Sequence, residues 1–285
     1  MKAKMIAADT VIATTLALAA VAIGGAGDAR AQAGAFPDRP VRIVLPTSAG
    51  SGVDITARAI AQKLSEAWGQ QVVVDNRAGA NGIIGMEIVA KAKPDGYTLL
   101  QGFTSALTIN PYVYKSLPYN TFRDYTAITQ TATNTMVLVA NPTLPVRSAK
   151  DLVALGKSRP GELVYASAGI GNLTHLAGEL LRVEAGLKVL HVPYKGESPA
   201  FTDLVGGQTA YMFSAALGVA AHIASGKLRL LATCGETRAN AFPNAPTMVE
   251  SGWPKVVVTG WGGWLAPAGT PDRKSTRLNS SHTDI

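Results

Sequence analysis

Residues 162–196 read ELVYASAGIGNLTHLAGELLRVEAGLKVLHVPYKG, and this stretch decides the fold. A short apolar run leads into a turn of small residues, Ser167-Ala168-Gly169-Ile170-Gly171-Asn172. An amphipathic helix over 173–185 follows, then a second strand over 189–192 and a turn ending in Tyr194-Lys195-Gly196. Strand, helix and strand in that order predict a parallel pair joined by a right-handed crossover. Residues 41–67 (VRIVLPTSAGSGVDITARAIAQKLSEA) repeat the strand–turn–helix arrangement much earlier in the chain. Small residues let backbone approach a ligand closely, and the first N–H groups of a helix lack intrahelical partners and carry partial positive charge. Each turn is therefore expected to favour an anion such as a carboxylate or phosphate. Both lie at carboxyl ends of strands, where ligands of open α/β sheets bind. Two such places far apart in the chain predict two lobes sharing one carboxylate.

Outward from these segments the α/β alternation continues. Strands are predicted at 72–74, 97–101, 136–140, 163–166, 210–213, 228–233 and 256–265, as short β-branched or apolar runs. Helices are predicted at 54–67, 85–91, 148–158, 199–205 and 217–225, with a short one at 247–252 and turn-rich connecting chain over 110–123. The chain has 285 residues, 47% hydrophobic and 16% charged, enough for two modest domains with apolar cores.

Residues 1–33 read as a cleaved secretory leader. Lys2 and Lys4 precede an apolar run over 11–26, and Ala31-Gln32-Ala33 fits a small-residue cleavage site. The run is shorter than the ~20 apolar residues of a membrane span. Cleavage near Ala33 leaves 23 basic and 17 acidic residues, a mild excess that favours capture of small anions. The basic residues form no cluster interleaved with aromatics, so nucleic acid is not an expected partner.

Several local patterns have a plain structural reading beside a chemical one. Gly169 to Thr174 only partly matches a dinucleotide fingerprint, because Thr174 stands where Gly or Ala is required; Gly79-Ala80-Asn81-Gly82-Ile83-Ile84-Gly85 is a second near miss. Ser167 invites a secreted serine hydrolase reading, but Tyr165 stands where a nucleophile elbow needs Gly. His175, His191, His222 and His282 are too scattered for a metal site, so neither metal nor cofactor is expected. Cys234, the single cysteine, reads as a buried structural thiol. Asp54 suits the first turn of a helix. Lys195 either faces solvent or aids a carboxylate, and Trp261 and Trp264 either pack in the core or line the cleft.

The ordered set PDRPVR at 37–42, Pro46 with Gly50 and Asp54, VDNRAGA at 74–80, KPDGYTLL at 93–100, YASAG at 165–169, HVPYKG at 191–196 and SGKLR at 225–229 resembles the substrate-binding proteins of tripartite tricarboxylate transporters, the Bug family. The resemblance runs from Phe36 to Pro271. It implies an α/β flytrap of the periplasmic-binding-protein type, each lobe a mostly parallel sheet flanked by helices, without catalysis. Implied boundaries are lobe 1 over 36–134, lobe 2 over 135–233, a return to lobe 1 over 234–271, and a non-native or truncated tail over 273–285. Carried onto this chain, the family's ligand contacts fall on Thr47, Ser48, Gly50, Ser51, Asn81, Gly82, Phe103, Ser105, Ser167, Ala168, Gly169, Gly171, Tyr194, Lys195 and Ser214. A small organic acid, transient contact with membrane permease subunits, a periplasmic location and a monomeric state are implied as well. The chain departs from the pattern at Thr47, where the family usually has an aromatic residue, and at Gly50-Ser51 in place of a Gly-Gly pair. At Ala210 and Ser214 relatives often carry Asp, so an acid that would read a ligand amine is expected to be missing.

Overall fold

The computed structural model describes residues 36–272 and 274–276; the expected leader and most of the tail lie outside the described residues. The described residues from Arg39 onward form one compact body. Strand β1 (Val41–Leu45) is an aliphatic run with Ile43, Val44 and Leu45 fully buried, as expected for a strand covered on both faces. Helix α1 (Gly52–Trp68) starts at Ser51, whose side chain accepts the Asp54 N–H, and stops at Gly69 in the left-handed conformation. It buries Ala57, Ala61 and Leu64, the i, i+4, i+7 stripe of an amphipathic helix. Strands β2 (Val72–Asn76) and β3 (Thr98–Phe103) pair with β1 in parallel, with α2 (Ile83–Ala90) between them in the chain. A π-helical turn (Ser105–Ile109) and the short α3 (Asn110–Val113) follow.

Strand β4 (Tyr125–Ala140) joins the two lobes. Its first eleven residues, 125–135, pair antiparallel with β9 (Thr259–Pro267), and Met136–Ala140 pair antiparallel with β7 (Tyr211–Ala215) and β8 (Arg229–Thr233). The first sheet has the order β2-β1-β3-β9-β4. In the second, β5 (Val164–Ser167) pairs in parallel with β6 (Leu190–Pro193) and with β7. Helices α4 (Ala149–Ser158), α5 (Leu173–Ala185), α6 (Glu197–Val205) and α7 (Ala216–Ala224) complete this lobe. The expected two-lobe α/β architecture is present. Among the named strands, parallel pairing is confined to β2-β1-β3 and β6-β5-β7, and the strands that carry the chain between lobes are antiparallel because they run out and back.

Along the second half of β4 the side chains alternate faces. Met136 and Leu138 join a cluster with Leu152, Tyr165, Leu181 and Phe213, while Val137 and Val139 join another with Ala166, Phe201, Met212 and Val219. The first lobe packs Val44, Met86, Leu100, Leu107 and Leu265. Cys234, Met248, Val256 and Val258 belong to the second lobe's core, so the chain re-enters the first sheet at Thr259 and not at residue 234. Cys234 is fully buried, and burial pushes its thiol pKa up. Among the described residues no helix is long and apolar enough to cross a membrane.

Candidate functional site

The cleft between the lobes encloses a chamber of about 240 Å³. The first lobe lines it with Pro46 and Thr47 after β1, residues 78–82, Phe103 at the end of β3, and Tyr114. The second lobe contributes Ala168, Gly169, Ile170 and Asn172 from the turn after β5, and residues 193–196 from the turn after β6. Both lobes present the ends of parallel strands, as expected for ligand sites of α/β sheets. The lining holds one charged side chain, the exposed Lys195, and no carboxylate. A smaller inner chamber of about 60 Å³ shares Thr47, Phe103, Ala168 and Asn172 with the outer one. Its remaining wall includes Val53, Met136, Leu173 and Trp261, with Ser105, Thr174 and Glu197 as polar members.

The sequence-derived candidates divide into those on the chamber and those behind it. Thr47, Asn81, Gly82, Phe103, Ala168, Gly169, Tyr194 and Lys195 line the outer chamber, and Ser105 lines the inner one. Ser48 sits instead on a seam where the lobes touch, its Oγ bonding Ser198 Oγ at 3.2 Å, while Gly50 and Ser51 serve the start of α1: Gly50 N–H donates to Asp54 Oδ2 at 2.9 Å and Ser51 Oγ accepts the Asp54 N–H at 3.3 Å. Gly171 supports the turn from behind through His175, Ser167 is fully buried, and Ser214 is fully buried against Glu197. Asp54 has the structural role expected of it. Burial pushes its pKa up, but Arg58, the Gly50 N–H and Asn76 outweigh this and hold the carboxyl below the ordinary range. Trp264 is buried, whereas Trp261 reaches the inner chamber. Among the described residues no cluster of three or more His, Cys, Asp or Glu side chains is placed to hold a metal ion.

Asn172 is the important residue that the sequence reading left out. Its side chain caps α5 by accepting the Thr174 N–H at 3.0 Å, and its Nδ2 reaches across the cleft to Asn81 Oδ1 at 2.8 Å. Asn81 has φ of +51°, a left-handed angle that Asn tolerates better than most residues, and its Nδ2 donates to buried Asn110 Oδ1 at 2.7 Å. Tyr114 OH donates to the Ile170 carbonyl at 3.3 Å, a second bridge across the mouth. These bonds hold the lobes together around the chamber.

The helix N-termini expected to wait for a ligand are engaged within the protein. The Leu173 N–H, first in α5, donates to first-lobe Ser105 Oγ at 2.9 Å. The Gly52 N–H, first in α1, faces second-lobe Glu197 Oε2 at 3.5 Å. The orphan donors of a helix end need partners when buried, and here each lobe supplies one to the other. The surface left to a ligand is formed by the turns over 78–82 and 168–170 and by Lys195.

Behind the second-lobe turn lies a stack of rings. His191 lies between Tyr165, with centroids 4.7 Å apart, and His175, 4.3 Å apart. Ser167 Oγ contacts His191 Nε2 at 2.6 Å, and the Gly171 N–H donates to His175 Nδ1 at 3.2 Å. Since a backbone N–H only donates, Nδ1 of His175 is unprotonated in this arrangement. Burial lowers both pKa values, and the neighbouring His175 adds to the effect on His191, which falls to about 4. The pair is thus neutral at pH 7 and fixes the turn.

Two mixed α/β sheets, two chain crossings and a chamber between the strand ends define a solute-binding protein of the periplasmic type. Residues 56–284 match the tripartite tricarboxylate transporter family receptors, and the chain belongs to that family. It is 39% identical over 266 residues to the protein BugT of Bordetella pertussis, covering 93% of this chain and 82% of BugT. Among solved structures, R. palustris Rpa4515 with adipate superposes with a TM-score of 0.84 at 34% identity, over 86% of this chain and 82% of that one. MatC from Rhodopseudomonas palustris with bound malate gives 0.82 at 28% identity, over 87% and 85%.

Proposed function

We propose that the protein is a periplasmic receptor that captures a small organic carboxylate between its lobes and delivers it to the permease subunits of a tripartite tricarboxylate-type transporter. One observation carries the reading: an outer interlobe chamber whose single charged lining side chain among the described residues is a cation, Lys195, with no carboxylate there to repel an acid. The adipate and malate held by the two solved relatives support the same ligand class. Binding acts as a population shift, because an acid touching both turns favours the closed arrangement by whatever it gains in touching both lobes. Delivery to a permease rests on family membership.

The short Ser167–His191 contact is the observation that favours a hydrolase. Ser167 is fully buried, however. The nearby amides that would stabilise an oxyanion are engaged: Ala168 N–H donates to Thr174 Oγ1 at 2.8 Å and Gly169 N–H to Ser167 Oγ at 3.2 Å. Glu179, the acid beside the histidine stack, bonds Tyr165 and Arg182. This geometry favours support of the turn over nucleophilic attack. A thermal-shift screen of di- and tricarboxylates, aromatic acids and amino acids tests the receptor reading. At a hundredfold excess over Kd an acid adds about 2.7 kcal/mol, roughly 5–10 °C for a chain of this size. No shift with any acid, or consumption of a model ester that Ser167→Ala abolishes, would overturn it.

A further inference from the structure

The sequence presents the N-terminus of α1 to an anion, and the protein fills that place itself. Glu197, the first residue of α6 on the second lobe, brings its carboxyl to Gly52, the first residue of α1 on the first lobe. Oε2 accepts the Gly52 N–H over a long 3.5 Å. Oε1 accepts Ser214 Oγ–H at 2.9 Å and, at 3.4 Å, the N–H of Ala215, the residue that precedes α7. Helix N-termini carry partial positive charge, and the first N–H of α1 and the N–H of the residue before α7 both reach this one carboxyl. Glu197 is 7% exposed. Burial holds its pKa above the ordinary carboxylate range, and the Ser214, Ala215 and Gly52 donors offset this only in part.

The surfaces around it are shaped for contact between lobes. A Cβ on Gly52 would lie 3.1 Å from Ala215 Cβ and 3.2 Å from the Gly218 nitrogen, and one on Gly218 would lie 3.0 Å from the Gly52 nitrogen. Glycine on both sides lets these two helix ends approach. Ser198 N–H donates to Ser48 Oγ across the same seam at 3.3 Å. The Ser105–Leu173 bond is the reciprocal cap, donor and acceptor lobes exchanged.

We infer that Glu197 is a positioning residue for lobe closure: a built-in carboxyl acceptor that docks on the α1 N-terminus of the opposite lobe and holds the cleft shut, leaving the ligand's own carboxylate to the outer chamber. This deepens the receptor reading and rests on it for its consequences in the bound state. A contact that biases the protein toward its binding-competent form raises apparent affinity, and within one site such changes appear mostly in release.

The test compares wild type with Glu197→Gln, which keeps the shape and removes the carboxyl. Small-angle X-ray scattering without ligand is expected to show a larger radius of gyration for the variant. Stopped-flow release of adipate, the probe acid, is expected to be about tenfold faster, with association changed by less than about threefold. A side chain that only fills space would move neither readout. If Glu197→Gln does not fold by circular dichroism, Glu197→Asp takes its place, since it keeps the carboxyl at α6 but is one methylene too short to reach Gly52. Should adipate not bind wild type, the best acid of the thermal screen replaces it; if no acid binds, the carboxylate reading is overturned, and the ligand-free scattering still decides the role of Glu197. Scattering and release indistinguishable from wild type in a folded variant overturn the inference.

Discussion

Gly169→Val puts a β-branched side chain on a backbone whose φ is +136°, a region that residues other than glycine adopt only under strain. Holding one there costs about 1–3 kcal/mol, and for a β-branched residue the upper end applies. The new Cβ would also lie 3.3 Å from the Tyr194 carbonyl oxygen. That carbonyl has little freedom to retreat, because the Tyr194 N–H is bonded to Ser167 O at 2.9 Å and the Gly196 N–H to Ala168 O at 3.2 Å. A cost of about 3 kcal/mol on the closed turn corresponds to roughly a 150-fold loss of affinity. The turn lies at the cleft and not in the core, so the lobes, with total stability of about 5–15 kcal/mol, are expected to stay folded. Isothermal titration with the acid that gives the largest thermal shift, alongside circular dichroism, measures both effects. A folded Gly169→Val protein that binds within about threefold of wild type would refute the reasoning and make the turn a mere connection.

The histidine stack sets a pH dependence. The pKa values of His175 and His191 are lowered by burial, His191 to about 4, from 6.5, so their contribution is present above about pH 6.5 and is lost as pH falls toward 4. Protonation of His175 also removes the acceptor of the Gly171 N–H, so binding and melting temperature are expected to decline together between pH 6.5 and 5; a flat profile there would count against the stack as the turn's support. Lys195→Ala is expected to weaken acid binding by about fivefold or less, since an exposed ion pair contributes roughly 1 kcal/mol or less, and the difference should shrink with added salt. Complete loss of binding in titration would make Lys195 the main anchor instead. Ser167→Ala leaves His191 Nε2 without its partner and is expected to lower stability by about 1–3 kcal/mol, measured by urea denaturation.

The parts of the fold legible in sequence were those with local causes. The β1 run IVL and the helical spacing over 54–67 were read from the residues themselves, and the structure extends that helix to Gly52–Trp68, between the Ser51 cap and the Gly69 stop. The first half of β4 was missed: YTAITQTATNT has no clean apolar alternation, and its side chains are mostly half-exposed. Pairing with β9, more than a hundred residues away, makes it a strand. Asn110-Pro111 read as a break in the chain, yet it opens α3, because proline is tolerated in a first helical turn where its missing N–H has no partner to lose. The residues predicted as a short helix over 247–252 form a turn closed by Ser251 N–H to Thr247 O at 2.9 Å. At the site, the glycine turns announced themselves by composition. Glu197 and Asn172 did not, since an acid in a first helical turn and an Asn before a helix both read as ordinary local caps. Their cross-lobe partners, Gly52 and Asn81, are 145 and 91 residues distant. The loop over 48–51 looked like a ligand contact for the same reason: sequence shows a turn suited to close approach but not which surface approaches it.

The most direct measurement is isothermal titration of the protein with adipate and with adipamide, its uncharged diamide of the same length. Capture by the turns and Lys195 requires a carboxylate, so adipate, or the best acid of the thermal screen with its own amide, is expected to bind one per chain. The amide is expected to bind at least about tenfold more weakly, because it gives up charge-assisted hydrogen bonds. Equal affinity for acid and amide, or a stoichiometry that a single interlobe chamber does not allow, would contradict the central claim.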